Sequence, residues 1–183
     1  MRRRTLLTTG LAAGGTLAAG VVSRKPLAGE LEPLAEGLKL VQPPVKPEPI
    51  VFLAADGTPH RLDEFLGHGM VVNLWATWCA PCVAELPALS ALSHALAPHD
   101  IAVLPLSSDR GGAKAVRAFF DAHNITGLPI LLDPKGAAAD AWDARGIPTS
   151  VIIDRKGMER ARLVGAADWS TPEAAALIRR LVS

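Results

Sequence analysis

The sequence predicts an α/β domain, a sheet with helices on both faces. Three observations lead there. Met70 to Trp75 is a near-continuous apolar run followed by a helical pattern, which suits a strand buried on both faces. Ile101 to Leu106 repeats that arrangement, with a second helical pattern from Lys114 to His123. Two strand-like runs then flank Asp154-Arg155-Lys156-Gly157, and a last helix closes the chain. Strands alternating with helices call for a sheet covered on its faces.

The elements follow in order. Ile50 to Leu53 and His60 to Leu62 read as two strands around the turn signal Asp56-Gly57. Asp63 is placed to cap a helical turn through Phe65. After the Met70–Trp75 strand, Cys82, Leu86, Leu89, Leu92, Ser93 and Leu96 recur at helical spacing, and Pro98 is the expected stop. Ile130 to Leu132 is a third central strand and Ala137 to Ala144 a short helix. Ser150 to Ile153 and Met158 to Val164 form a hairpin. Glu173 to Val182 is the closing helix, with Thr171 as N-cap and Pro172 at its first position.

Length and composition bound the function. The chain has 183 residues, 49% hydrophobic and 20% charged, enough apolar material for a sizeable core. Its 19 basic and 18 acidic residues leave a net charge of +1, which argues against nucleic acid as a partner. Cys79 and Cys82 are the only cysteines, too few for a disulfide framework or, alone, a closed zinc site.

The first residues read as an address. Arg2, Arg3 and Arg4 precede 19 uncharged residues, Thr5 to Ser23, that are weakly apolar and rich in glycine and threonine. A basic start and a modest apolar run make an export signal. Arg3-Arg4-Thr5-Leu6-Leu7 resembles a twin-arginine signal, with a Sec-type signal as the alternative. Residues 1–29 are thus an export signal or an uncleaved membrane anchor, and the location is periplasmic. Residues 30–49 hold Pro33, Pro43, Pro44, Pro47 and Pro49 and read as a stiff linker without regular structure. The folded domain is expected over residues 50–183.

The informative segment is Trp75-Ala76-Thr77-Trp78-Cys79-Ala80-Pro81-Cys82, where a buried strand feeds a helix. Unpaired N–H groups and the positive end of the helix dipole favour a thiolate there. Two cysteines three apart can close a ring on each other, so Cys79 attacking a disulfide and Cys82 resolving it makes a two-step cycle. Pro81 is tolerated in the first turn, where its N–H would have no partner. Haem attachment would need His rather than Val83 after Cys82, and no nearby histidine supports a metal site.

At this point the chain resembles the TlpA-like group of thioredoxin-fold thiol:disulfide oxidoreductases, with ResA and CcmG, and within it TlpA most. Asn73 to Cys82 with Glu85-Leu86-Pro87, then Arg145-Gly146-Ile147-Pro148-Thr149, then Asp154 to Gly157 carry the resemblance. It covers residues 50–183. It implies a thioredoxin-like fold, a central mixed sheet with an N-terminal hairpin. Since 66 residues separate Cys82 from Pro148, it also implies a strand-helix insertion within Gly127 to Trp142. It implies that Cys79 and Cys82 form a redox-active disulfide, that Pro148 is a cis-proline beside them, and that the Ile147 backbone is open to an extended substrate. Trp78, Pro81, Ile147, Pro148 and Thr149 become the substrate-binding residues. Asn73 replaces the buried aspartate of thioredoxin, and Glu85 matches the group's acidic residue; the alternative for Glu85 is a solvated surface carboxylate.

The resemblance further implies a reductant of proteins in respiratory-chain assembly, such as cytochrome c or cytochrome oxidase maturation, fed by a membrane thiol transporter. It implies no metal and no cofactor, and a monomer is expected. Two other classes stay open: a non-catalytic metal-binding or chaperone module on the same fold, and a peroxiredoxin-like peroxidase.

Overall fold

The structure is a computed structural model in which residues 37–183 are described. The export segment of residues 1–29 lies outside them, as do Glu30 to Glu36 of the linker. Among the described residues no helix is long and apolar enough to cross a membrane.

The strands are β1 (Leu38–Val45), β2 (Val51–Ala54), β3 (Pro59–Arg61), β4 (Gly69–Trp75), β5 (Ile101–Ser107), β6 (Leu131–Leu132), β7 (Thr149–Ile153) and β8 (Glu159–Val164). The helices are α1 (Ala80–Leu96), α2 (Gly112–His123), α3 (Ala137–Ala141) and α4 (Pro172–Leu181). The strands form one mixed sheet in the order β1-β8-β7-β4-β5-β6-β2-β3. β4, β5 and β6 run parallel, joined through α1 and α2, while β7 lies antiparallel on the other side of β4. This is a thioredoxin-like arrangement.

β4 is buried along its whole length because both of its faces are covered. Val71 and Trp75 point to the face packed by α1, α2 and α4, where Leu86, Phe120 and Ile178 are buried. Met70, Val72 and Leu74 point to the opposite face, against Phe52, Leu62 and Trp142. The three long helices therefore share one face, and the short α3 and a 3₁₀ turn (Leu62–Phe65) cover the other. Helices do lie on both faces, but unequally. β6 and α3 fall inside the expected insertion, and β6 carries the N-terminal hairpin by pairing with β2.

Three expectations are corrected. The stretch read as an irregular linker contains β1, which pairs antiparallel with β8. Its prolines are accommodated because β1 is an edge strand and its register shifts between Leu40 and Val45, the stretch that holds Pro43 and Pro44. The sheet thus begins at Leu38 rather than near Ile50. Asp63 lies inside the 3₁₀ turn and pairs with Arg61 at 3.0 Å instead of capping it. Pro98 does not end the helical path at once: a 3₁₀ turn, Ala97–His99, follows α1, and Asp100 closes it in the left-handed region at φ 54°.

Candidate active site

β4 delivers Trp75 to the end of the central sheet, and the chain turns through Ala76, Thr77 and Trp78 into α1. Cys79 is the N-cap of α1. Its Sγ accepts a hydrogen bond from the Cys82 N–H at 3.3 Å. A sulfur thus occupies the place usually taken by a Ser or Asp oxygen, facing the donors that a helix start leaves unpaired. Negative charge on that sulfur is favoured by the N–H and by the helix dipole.

Cys79 and Cys82 are joined by a disulfide, with S–S 2.08 Å and Cα–Cα 5.3 Å. The sulfurs are not equivalent. Cys79 retains 6% exposure and Cys82 none, so an external disulfide can reach only Cys79.

The Ile147–Pro148 bond is cis. The Ile147 carbonyl oxygen lies 3.7 Å from Cys79 Sγ. The Pro148 carbonyl accepts from the Gly165 N–H at 2.9 Å, which ties the turn to the end of β8. The Ile147 N–H has no partner among the described residues and is available to an incoming strand. Trp78 is 71% exposed and Pro81 is exposed, and together they flank the sulfurs.

Thr149 is different. It is fully buried, and its hydroxyl donates to the Gly146 carbonyl at 2.7 Å. It braces the proline turn and presents nothing to a substrate, contrary to its expected binding role. β7 is an interior strand between β4 and β8 with both faces covered, so all five of its residues are buried.

Glu85 is not a surface carboxylate. It is 3% exposed, on the face of α1 that packs against the sheet. Oε1 accepts from Asn73 Nδ2 at 2.8 Å, and Oε2 accepts from the Ala167 N–H at 3.2 Å and from Trp169 Nε1 at 3.4 Å. Burial pushes its carboxyl above the ordinary range, and these three donors only partly offset that. Asn73 also donates to Ser150 Oγ at 3.0 Å, and its Oδ1 has no partner. Cys82 and Glu85 are one helical turn apart on the same buried face.

A second buried acid holds the turn that carries the cysteines. Asp109 accepts from the Thr77 N–H at 2.9 Å and the Thr77 hydroxyl at 2.6 Å. Ser107 Oγ donates to the same carboxylate at 2.7 Å. Beneath the turn, Trp75 stacks on Phe120 with ring centroids 5.7 Å apart.

The sequence brought out Cys79, Cys82, Glu85, Trp78, Pro81, Ile147 and Pro148, and the structure gathers them at one end of the sheet. It did not bring out Asp109, Ser107, Ser150 or Trp169. Asp109 lies in the loop after β5, where no spacing links it to Thr77 across 32 residues. Trp142 is buried and donates from Nε1 to the Glu48 carbonyl at 2.9 Å, fastening the segment between β1 and β2.

The sequence pattern of the AhpC/TSA family matches residues 45–161. The chain belongs to the AhpC/TSA family. The chain is 37% identical over 103 residues to the thioredoxin-like protein YneN of Bacillus subtilis, covering 56% of this chain and 59% of that one. It is 29% identical over 110 residues to the thiol-disulfide oxidoreductase ResA of Geobacillus kaustophilus, covering 60% and 62%. The AhpC/TSA chain thus spans about six-tenths of these curated relatives. The exposed lipoprotein thioredoxin of Streptococcus pneumoniae superposes with a TM-score of 0.59 at 25% identity, covering 73% of this chain and 97% of that one. The ResA match agrees with the TlpA, ResA and CcmG group to which the motifs pointed.

Proposed function

We propose that this protein is a thiol:disulfide oxidoreductase that reduces disulfides of partner proteins outside the cytoplasm. The observation that carries the reading is the asymmetric disulfide at the start of α1, one sulfur reachable and the other buried, beside an open cis-proline turn.

The reduced protein begins the cycle. The Cys79 thiolate attacks one sulfur of the substrate disulfide, a mixed disulfide forms, and the other substrate sulfur leaves as a thiolate. The Cys82 thiol then loses its proton and attacks Cys79 Sγ. The Cys79–Cys82 bond forms and the second substrate sulfur leaves. Two electrons have passed to the substrate, and a dithiol donor must return two to this protein. Glu85, buried one turn from Cys82 and holding its proton more tightly than an ordinary carboxyl, is placed to take the proton that Cys82 gives up. The substrate lies extended along Ile147, with Trp78 and Pro81 against its side chains.

The targets proposed are proteins of respiratory-chain assembly, with a membrane thiol transporter as donor and residues 1–29 as export signal or anchor. Arg3→Lys with Arg4→Lys tests a twin-arginine route: export should stop, and undiminished delivery would favour a Sec route. The catalytic reading is tested with dithiothreitol and insulin. The protein should accelerate insulin reduction and Cys79→Ser should abolish the acceleration; equal rates with and without the protein would overturn it.

A further inference from the structure

Beside the cysteines lies an open groove of about 600 Å³, lined by Trp78, Ser108, Asp109, Arg110, Pro134 and Lys135. It begins at Trp78, next to Cys79 in the chain, and runs between the loop after β5 and the loop before α3. Trp78 is the most exposed of the large apolar side chains among the described residues, at 71%. An exposed tryptophan at the mouth of a reactive site is a rigid contact with little side-chain entropy to lose.

The charges of this groove are one-sided. Its carboxylate, Asp109, is buried and committed to Thr77 and Ser107. The neighbouring Asp133 is also buried, accepting from the Ala137 and Ala138 N–H groups at 2.8 Å each. Arg110 and Lys135 are exposed, and neither has a hydrogen bond or ion pair among the described residues. The acids of both loops point inward, so the face left to solvent is cationic. On the proline side of the cysteines, Asp143 and Arg145 pair with each other at 3.7 Å.

We propose that this groove is a docking surface for the substrate chain flanking its disulfide, and that the favoured flank is acidic. The inference rests on the oxidoreductase reading above and adds a substrate class to it. Ile147 reads backbone only, which any extended segment satisfies. Arg110 and Lys135 add selection by charge, and Trp78 packs against the apolar parts of the same segment. Charge complementarity of this kind raises encounter rates and suppresses wrong partners.

The test uses two disulfide-bridged peptides identical except for their flanks, aspartates in one and lysines in the other. Hydroxyethyl disulfide, uncharged, serves as the reference substrate. The unsubstituted protein should reduce the aspartate peptide with a kcat/KM about fivefold above the lysine peptide, the range two exposed ion pairs supply. R110E combined with K135E should invert that preference. Equal rates for the two peptides, with hydroxyethyl disulfide still reduced, overturn the docking surface alone. An unchanged ratio in the double variant overturns it too, because the preference then arises elsewhere. Loss of hydroxyethyl disulfide reduction in the unsubstituted protein overturns the oxidoreductase reading itself.

Discussion

Replacing Asp109 by alanine should loosen the turn that presents Cys79 while leaving both cysteines in place. The carboxylate accepts the Thr77 N–H, the Thr77 hydroxyl and the Ser107 hydroxyl. Ser107 is fully buried and Thr77 partly so. Hydrogen bonds to a charged acceptor contribute about 1.5–3 kcal/mol each, and a buried donor left unpaired costs about 1–3 kcal/mol. Water can reach Thr77 in the variant but not readily Ser107, so the total loss is about 3 kcal/mol rather than the sum of three full penalties. That is a large part of a typical stability of about 5–15 kcal/mol. Urea unfolding of the oxidised protein measures it as a shift in midpoint at constant slope. Thr77→Val is the control: it removes the hydroxyl, keeps the N–H bond and should cost about 1.5 kcal/mol, the low end for a bond to a charged acceptor at a partly exposed site. A loss below about 1 kcal/mol for Asp109→Ala would refute the reasoning, since the turn would then be held by something other than this carboxylate.

Two further outcomes are expected. Glu85→Gln should change how stability depends on pH. The folded carboxyl titrates above its ordinary value of 4.5, so between those values the folded state binds more protons and stability falls as pH rises. The glutamine lacks that loss, so the variant should gain on the parent as pH climbs through this window; parallel curves would contradict it. Its amide can be accommodated because Asn73 Oδ1 is without a partner and a flipped Asn73 offers it as acceptor. The reduction potential should lie on the reducing side, below about −180 mV, because Ala80 and Pro81 supply no histidine to stabilise the thiolate further. Equilibration with glutathione, read by Trp78 fluorescence, gives the value, and a potential near −120 mV would make the protein a disulfide donor.

Much of the site was legible because its chemistry is local. Cys79, Pro81 and Cys82 sit within one turn, and a strand-to-helix junction can be read from the apolar run that ends at Trp75. Glu85 came from the resemblance, and its burial was not legible: that depends on Asn73, Ala167 and Trp169, which spacing cannot place. Pro148 required the resemblance, since a lone proline in a loop has no signature of its own. β1 was missed because five prolines outweigh a weak strand signal, and only pairing with the outer edge of β8 supplies the partner that makes it a strand. Asp109 was missed for the same reason in reverse, a polar residue whose importance lies in what it holds across the sheet.

The central claim is that Cys79 attacks and Cys82 resolves. It is tested most directly by mixing reduced Cys82→Ser protein with a disulfide-bonded protein substrate and resolving the products without reductant. Cys79 alone is reachable and Cys82 fully buried, so attack should proceed and stop at a covalent one-to-one complex through Cys79, released by dithiothreitol. Cys79→Ser should form none. Normal turnover by Cys82→Ser, or a complex formed equally by Cys79→Ser, would contradict the account.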